Sequence, residues 1–567
     1  MSKAVFIFTF SPVQLFIAEA RRADDLFTGS QILVQLAKAS AEAIQKAGGQ
    51  LIYPSELTDD IPNKLVAQIE WEKTHSVVQE TLAGFQNKWK EITRSAHDRL
   101  VHKETKDDTW ENIWERQVDK QWETFWVAVQ GQDSAALKAA NQALEAAKRT
   151  RNFSASEEDG YKDSLSGCRS ALRTQRLDAQ EYWKKLALQH NPSKIKRDGR
   201  EKLDAIGAIK RFSVIADELF PSTSTIASSD YLAKVLADPQ AREVLKKYAE
   251  MVDRLGCFTV STGPEWRYDG DLLYAETLTA KRLKDDYGLE SVTPELLKKA
   301  RIELSGLYEM VKQPSIYYAL ITLDGDSMGE YINQRETVAE HRVLSHQIAE
   351  FSREVRLLGK DGNDDFAHLI YNGGDDVLAM TPMCSAISFA QKVADLFEKK
   401  IGRSASAGIA IVHHQYPLQA AIRAAHRAEA HAKKVPLKSA LCVEVIKRSG
   451  VPYRMVCHWN DLGGRFAEMV KLFSNRQLSS HFAQEVTEQA RIVSALEMDA
   501  QTSMLKRLIH RHRSPDLANE EQVLNSLSNW NQALERTIVT GGDDSGLNEL
   551  GCWLAFARFV AQGGKEG

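Results

Sequence analysis

No two cysteines in this 567-residue chain stand at CxxC spacing. The six that occur, Cys168, Cys257, Cys384, Cys442, Cys457 and Cys552, are scattered. They support neither a zinc knuckle nor a disulfide framework, and a reducing, cytoplasmic setting is the default expectation. Long apolar runs are missing too: no stretch of about 18 such residues appears, so no membrane span is expected. The apolar run at residues 4–10 is short, ends at Ser11-Pro12 and lacks a small-residue cleavage site, which reads as a strand and not as a secretory signal. Nor does charge of one sign dominate. Lys and Arg number 73 against 77 Asp and Glu, a formal net charge of −4. The chain as a whole is therefore no generic polyanion binder, although local basic stretches can still touch nucleic acid. What is present is ordinary for a globular protein, 43% hydrophobic and 26% charged residues, at a length that calls for roughly three to four domains.

Residues 4–10, rich in β-branched and aromatic types, read as a buried strand. Helix is expected from Ser11-Pro12 to about Arg22, with proline near its first turn, and again from Gly29 to about Lys46. Gly48-Gly49 stops it, and residues 50–53 form a second strand. This strand–helix–strand start is half of a ferredoxin-like domain. From about 64 to 149 the pattern reads as helical and tryptophan-rich. Trp110 and Trp114 are four apart, as are Trp122 and Trp126, so each pair is expected on one helix face as core aromatics; a base-stacking platform is the alternative. Residues 152–167 read as a polar loop, and helices dominate from about 170 to 307. A second α/β unit follows: strand 316–323, helix 338–358, hairpin strands 368–371 and 377–380, helix 386–401, strand 404–412, helix 418–434 and strand 440–446. The tail from about 462 is helical. The expected fold is α+β, with two ferredoxin-like palm domains, a helical insertion and a helical C-terminal domain. The expected divisions are 1–160, 161–311, 312–460 and 461–567.

Two carboxylate motifs fall at strand ends in the second unit. The apolar strand Tyr317-Tyr318-Ala319-Leu320-Ile321-Thr322-Leu323 delivers Asp324, and the hairpin Gly373-Gly374-Asp375-Asp376 delivers two more. Adjacent strands lie about 4.8 Å apart, so Asp324, Asp375 and Asp376 can share one or two Mg²⁺ or Mn²⁺ ions of the kind that activate a 3′-hydroxyl and neutralise a leaving pyrophosphate. Gly373 and Gly374 permit a tight turn and close approach of a nucleotide. The loop Gly325-Asp326-Ser327-Met328-Gly329 can offer N–H groups to phosphates. Asp and Gly fill turns everywhere; it is the convergence of two clusters in one βαββ unit that points to catalysis. Gly541-Gly542-Asp543-Asp544 repeats the letters, but helical stretches flank it, and it reads as an interhelical loop.

With these motifs the chain resembles a known family, the large palm-polymerase subunit of type III CRISPR effector complexes, especially the Cmr type. Phe10-Ser11-Pro12-Val13-Gln14-Leu15-Phe16-Ile17 with Arg21 to Gly29 is similar to that family's first-palm opening. Asp324 to Gly329 and the Gly-Gly-Asp-Asp hairpin resemble its second palm, and Ser406-Ala407-Gly408-Ile409-Ala410 with residues 428–434 resembles the strand and helix that follow. The resemblance implies a target-RNA-activated nucleotidyltransferase that makes a cyclic oligoadenylate from ATP, or joins AMP to another adenosine-bearing metabolite. Other effector subunits, crRNA and target RNA would be its partners. It implies Asp324, Asp375 and Asp376 as catalytic metal ligands. Gly325, Asp326, Ser327, Met328, Gly329, Gly373, Gly374 and Lys433 would surround the nucleotide, with Lys433 neutralising phosphates and the first palm holding a second ATP.

Two departures are expected. The palm opening begins at Ala4, so no histidine–aspartate nuclease domain is expected ahead of it, and His97-Asp98 lacks further upstream ligands. Zinc is not expected, because the stretches matching the family's two CxxC halves read Asp163-Ser164-Leu165-Ser166-Gly167 and Leu203-Asp204-Ala205-Ile206-Gly207. His413-His414 reads as a core or surface pair. The basic helix end Lys506-Arg507 with residues 510–513 reads as a solvated face, with RNA or subunit contact as the alternative. A catalytically silent scaffold and a stand-alone diguanylate cyclase are the competing functions. Intact carboxylates argue against the first and the two-palm layout against the second.

Overall fold

The computed structural model describes residues 2–101, 105–150, 158–215, 220–261, 265–359, 366–448, 451–538 and 545–564. β1 (Lys3–Ser11) is buried along nearly its whole length. Its alternation divides the side chains between two cores: Phe6, Phe8 and Phe10 enter one, Val5 and Ile7 the other. β2 (Gln50–Tyr53), β3 (Leu65–Glu70) and β4 (Glu123–Gln130) complete an antiparallel sheet in the order β2-β3-β1-β4, the ferredoxin-like arrangement.

Two of those strands correct the sequence reading, which made 64–149 helical throughout. β3 is a short strand between a loop and the long helix Thr74–Leu100, and β4 lies between helices Asp108–Asp119 and Ser134–Arg149. Trp110 and Trp114 do share a helix face, their rings stacked with centroids 5.3 Å apart. Trp122 and Trp126 do not. Trp126 lies on β4, paired with Phe8, while Trp122 precedes the strand and packs edge-on against Phe10 and Trp89. Pairing with β1 overrode the helical spacing.

The second sheet has six strands in the order β10-β9-β8-β5-β7-β6. They are β5 (Tyr317–Gly325), β6 (His368–Gly373), β7 (Asp376–Pro382), β8 (Ala405–His413), β9 (Ala440–Ile446) and β10 (Tyr453–His458). The β8–β9 pair is parallel and the others antiparallel. β10, unforeseen in the sequence, extends the edge. Odd residues of β5 (Tyr317, Ala319, Ile321, Leu323) enter a core shared with the C-terminal helices. Tyr318 and Leu320 enter the same core as Phe6, Phe8 and Phe10 of β1, so one apolar core runs through both palms.

Helix Leu418–Ala432 packs on this sheet along a seam of small residues: Ala424, Ala425, Ala428 and Ala432 are fully buried. A Cβ on Gly408 of β8 would lie 2.1 Å from the Glu429 nitrogen and 2.3 Å from the Ala425 oxygen. The Thr322 hydroxyl donates to that same Ala425 carbonyl at 3.2 Å.

The remaining sequence features fall as follows. Residues 541–544, the second Gly-Gly-Asp-Asp, lie outside the described residues, between helices Glu520–Glu535 and Gly546–Ala561. His97 packs on Trp110 and Trp114 with Asp98 and Glu111 at 3.3 and 3.4 Å. The two knuckle-like stretches meet through Ser164 N–H to the Lys202 carbonyl and Leu172 N–H to the Leu203 carbonyl, both at 2.9 Å, and Arg169 pairs with Asp204 and Glu19. His413 and His414 are both buried, and His414 stacks on Tyr274. At the basic helix end, Arg511 and His512 pair with Glu485, and His510 and Arg513 with Glu520.

Gly408→Ala is expected to force the seam apart and destabilise the chain by about 3 kcal/mol, the upper range for overpacking. Gly464→Ala, where a Cβ meets open space, is the control. Denaturant unfolding of both variants checks this, and equal midpoints would disprove the steric seam.

Candidate active site

The β5–β7 register ends with Leu323 opposite Val377, so the next step brings Asp324 opposite Asp376. Asp376 in turn closes the hairpin against Gly373. Asp375 stands in the turn between them. The three carboxylates each offer an oxygen, and these lie within 4.8 Å of one another. Gly374 at the turn has φ +77°, a left-handed conformation that favours glycine. A Cβ on Gly373 would fall 2.4 Å from the Tyr371 hydroxyl.

The small-residue seam sets the second half of the site. It brings the end of helix Leu418–Ala432 over the strand ends, and Lys433, which caps the helix, forms an ion pair with Asp324. Its ammonium also pairs with Glu429 at 2.7 Å, one turn back. Ile422, His426, Glu429 and Lys433 fall on one helix face and wall a cleft of about 280 Å³ with Asp324 and Asp376 on its floor. Gln14 and Ile17 of the first palm form the facing wall. Their short helix, Gln14–Ala18, is tied down by the buried Lys210, which donates to the Phe16 and Glu19 carbonyls. A larger cleft of about 1290 Å³, lined by residues that include Tyr231 and Arg476, touches none of the three aspartates. Carboxylate placement, not volume, makes the smaller one the candidate site.

Electrostatics follow from this crowding. Burial, then the charge of Asp324, pushes the Asp375 carboxyl up to about 6. Burial, then the hydrogen bond and charge of Asp324, raises Asp376 well above the carboxylate range. Burial works against the Lys433 ammonium, but hydrogen bonds to Asp324 and Glu429 override it and hold the charge more firmly than usual. For Glu429, burial is outweighed by bonds from His426 and Lys433, and its carboxyl is lowered. Tyr53 and Tyr371 are raised, chiefly by burial and then by the nearby aspartates. Four carboxyl groups thus gather around one lysine. An all-oxygen donor set with surplus negative charge fits a hard divalent cation.

The loop after Asp324 does not behave as the sequence suggests. Asp326 is 3% exposed, and its carboxylate accepts from the Ser404 and Ser406 hydroxyls at 2.8 Å each and from the Ser439 N–H at 3.0 Å. It braces the turn Leu437–Lys438–Ser439, where three successive residues adopt positive φ, a costly conformation for side-chain-bearing residues. Its own N–H goes to the Ser404 carbonyl. Met328 is a core residue, and a Cβ on Gly325 would meet Phe397 and Met328 at 2.5 and 2.6 Å, so this glycine answers to packing. Ser327 has φ +56°, and its hydroxyl accepts from Lys438 at 2.9 Å. A Cβ on Gly329 would meet nothing. The sequence reading missed Glu429, although its i,i+4 spacing to Lys433 was visible, and it missed Tyr53, for which no local signal exists; Gln14 and Ile17 lie in the opening stretch through which the first palm was expected to take part.

A double palm whose second unit carries a strand-end aspartate beside an Asp-Asp hairpin defines a protein of the polymerase and cyclase palm class. Two family models match: "Cas10/Cmr2, second palm domain" over residues 317–442 and "CRISPR-associated protein Cmr2, N-terminal" over residues 5–126. Both models describe the Cas10/Cmr2 family, and the chain is similar to that family over these two stretches. It is 32% identical over 251 residues to the CRISPR system Cmr subunit Cmr2 of Pyrococcus furiosus, a match that spans 38% of this chain and 27% of that protein's length. Its fold is similar to a chain of the type III-B Cmr-beta complex. The TM-score is 0.65 in both the apo state and the state bound to cognate target RNA, with identities of 11% and 13%. The matches cover 100% of this chain and 82% and 83% of those chains.

The raised Asp375 gives a pH dependence. Folding favours its protonated form, so ionising it opposes folding. That cost is absent below about pH 4 and complete above about pH 6. In cation-free buffer, Asp375→Asn is expected to raise the unfolding temperature above pH 6, with the gain shrinking as pH falls toward 4. Thermal scans of both proteins across this range check it, and a gain that grows at low pH would contradict the assignment.

Proposed function

We propose that this chain is the nucleotidyltransferase subunit of a type III CRISPR effector complex, making a cyclic oligoadenylate, or a related AMP-containing messenger, from ATP when target RNA is bound. The observation that carries the reading is the meeting of Asp324, Asp375 and Asp376 within 4.8 Å, two of which, Asp324 and Asp376, line with Lys433 a cleft that residues of the other palm also wall. Bound Mg²⁺ or Mn²⁺ would supply activation of the attacking 3′-hydroxyl and neutralisation of the departing pyrophosphate. The chain's own part is to hold that cation on Asp324, Asp375 and Asp376. Lys433 brings a compact positive charge to the triphosphate, and Glu429 holds that lysine at the cleft. Gly374 gives the hairpin its left-handed turn and Gly373 leaves room for the Tyr371 hydroxyl, with Ser327 and Gly329 just beyond the same end of β5 as Asp324. The Gln14 and Ile17 face accommodates the second ATP. Its partners are the other Cmr-type subunits, crRNA and target RNA, and its place is the cytoplasm. Support comes from the relative that is itself a Cmr subunit and from the fold match to a complex bound to cognate target RNA. No helix among the described residues is long and apolar enough to cross a membrane.

Incubating the reconstituted complex with radiolabelled ATP, guide RNA and target RNA tests this directly. Labelled oligoadenylate that depends on target RNA is expected. A product made only from GTP would point to a diguanylate cyclase instead. Asp375→Ala combined with Asp376→Ala is expected to abolish product while the complex still assembles; undiminished product would remove the hairpin from the chemistry. Lys433→Ala is expected to cost about 2–4 kcal/mol in turnover, as for other single electrostatic donors. Lys434→Ala, one exposed residue further, should be close to unchanged. Equal activities of these two variants would exclude Lys433 from the site.

A further inference from the structure

The Gly373–Asp376 hairpin stands at the edge of its sheet, with β6 paired on one side only. The last β6–β7 pair is Gly373 with Asp376, and a register shift between Leu369 and Tyr371 breaks the ladder behind it. Asp375 itself has no strand partner. The ladder alone therefore leaves the direction of these carboxylates loosely fixed, since a bulged edge hairpin bends easily. Something outside the sheet must set it.

We propose that Tyr53 of the first palm, with the segment at 54–60 that follows it, is the seat that positions this hairpin; the proposal rests on the reading that the hairpin carboxylates hold divalent cations. Tyr53 ends β2 and packs against the apolar cores of both palms. Its hydroxyl lies 2.9 Å from the point where a Cβ on Gly374 would stand, so it rests directly on the turn that carries Asp375. The segment after it is fastened along helix Val338–Leu358, which connects β5 to β6. The Ser55 N–H donates to the Ser345 hydroxyl at 2.8 Å, Glu56 pairs with His346 at 2.7 Å, and Arg356 grips both oxygens of Asp60. The His346 pair is exposed and weak. The Asp60 carboxylate is 8% exposed, and its two-pronged bond has the geometry that fixes position. The same helix holds the hairpin from behind: the Asn372 amide donates to the Ser352 carbonyl at 2.7 Å. The turn is thus gripped between a second-palm helix and a first-palm tyrosine. Tyr53 supplies no metal ligand; it acts by keeping Asp375 and Asp376 converged on Asp324.

The test measures Mn²⁺ binding to the full chain by paramagnetic resonance, with thermal unfolding in parallel. Tyr53→Ala is expected to weaken Mn²⁺ binding by about 10- to 100-fold, the range for residues that orient metal ligands. Tyr53→Phe, which keeps the ring, and Asp60→Asn, which loosens the far anchor, should weaken it less. Wild-type affinity in a folded Tyr53→Ala protein overturns the proposal. If that variant does not fold, wild-type affinity in both milder variants overturns it. Asp375→Asn with Asp376→Asn separates the two readings. If that protein still binds Mn²⁺ normally, the metal assignment fails and the seat with it. If it loses binding while the Tyr53 variants keep theirs, only the seat fails.

Discussion

The distance between one helix and the sheet beneath it governs the end of this molecule where the carboxylates and Lys433 meet. Helix Leu418–Ala432 lies against β5 and β8 with alanines on its inner face and a glycine, Gly408, where its backbone comes nearest. Interiors are packed like crystals and do not yield to an added methyl group without a shift. Were that seam wider by the thickness of a side chain, the Lys433 ammonium would stand off from Asp324, and the Glu429 carboxylate would turn away from the cleft. The carboxylate–lysine cluster is an outcome of packing: small residues along the helix decide where its last polar residues arrive.

The legible parts of the sequence were those in which local pattern and tertiary role agree. β5 is a continuous apolar strand ending in aspartate, and it is buried on both faces, so composition alone revealed it. The Gly-Gly-Asp-Asp turn at 373–376 was recognisable because flanking strands gave it a direction. Lys433 came from the family resemblance, and the helix end carries it to an ion pair with Asp324. The illegible parts were those settled by distant partners. β4 reads like helix because its tryptophan lies four residues from another, and only pairing with β1 decides otherwise. Asp326 carries the same letters as a metal ligand, yet the Ser404 and Ser406 hydroxyls and the Ser439 N–H claim its oxygens. Nothing local distinguishes a carboxylate that braces from one that binds.

Burial and charge act in opposite directions across the site. Burial resists ionisation of Asp375 and Asp376, and the neighbouring Asp324 carboxylate adds to it. Around Lys433 the same low-dielectric setting strengthens attraction, and hydrogen bonds prevail over desolvation. The hairpin therefore presents acids that are reluctant to ionise without a counter-ion, one residue step from a lysine that is reluctant to lose its proton. That contrast arises from position alone, since no unusual residue type is involved.

The common core of the two palms has a mechanical consequence. Phe6, Phe8 and Phe10 from one sheet and Tyr318, Leu320 and Met380 from the other occupy a single apolar volume. A hinge between the palms would have to expose it, and each large side chain returned to water costs about 1.5–3 kcal/mol. The chain is thus built as a monolith and not as a clamshell. A signal reaching the cleft from elsewhere in the chain has no wide swing to work through. It must act by displacements small enough to leave the core closed, at the scale on which a hydrogen bond forms or breaks.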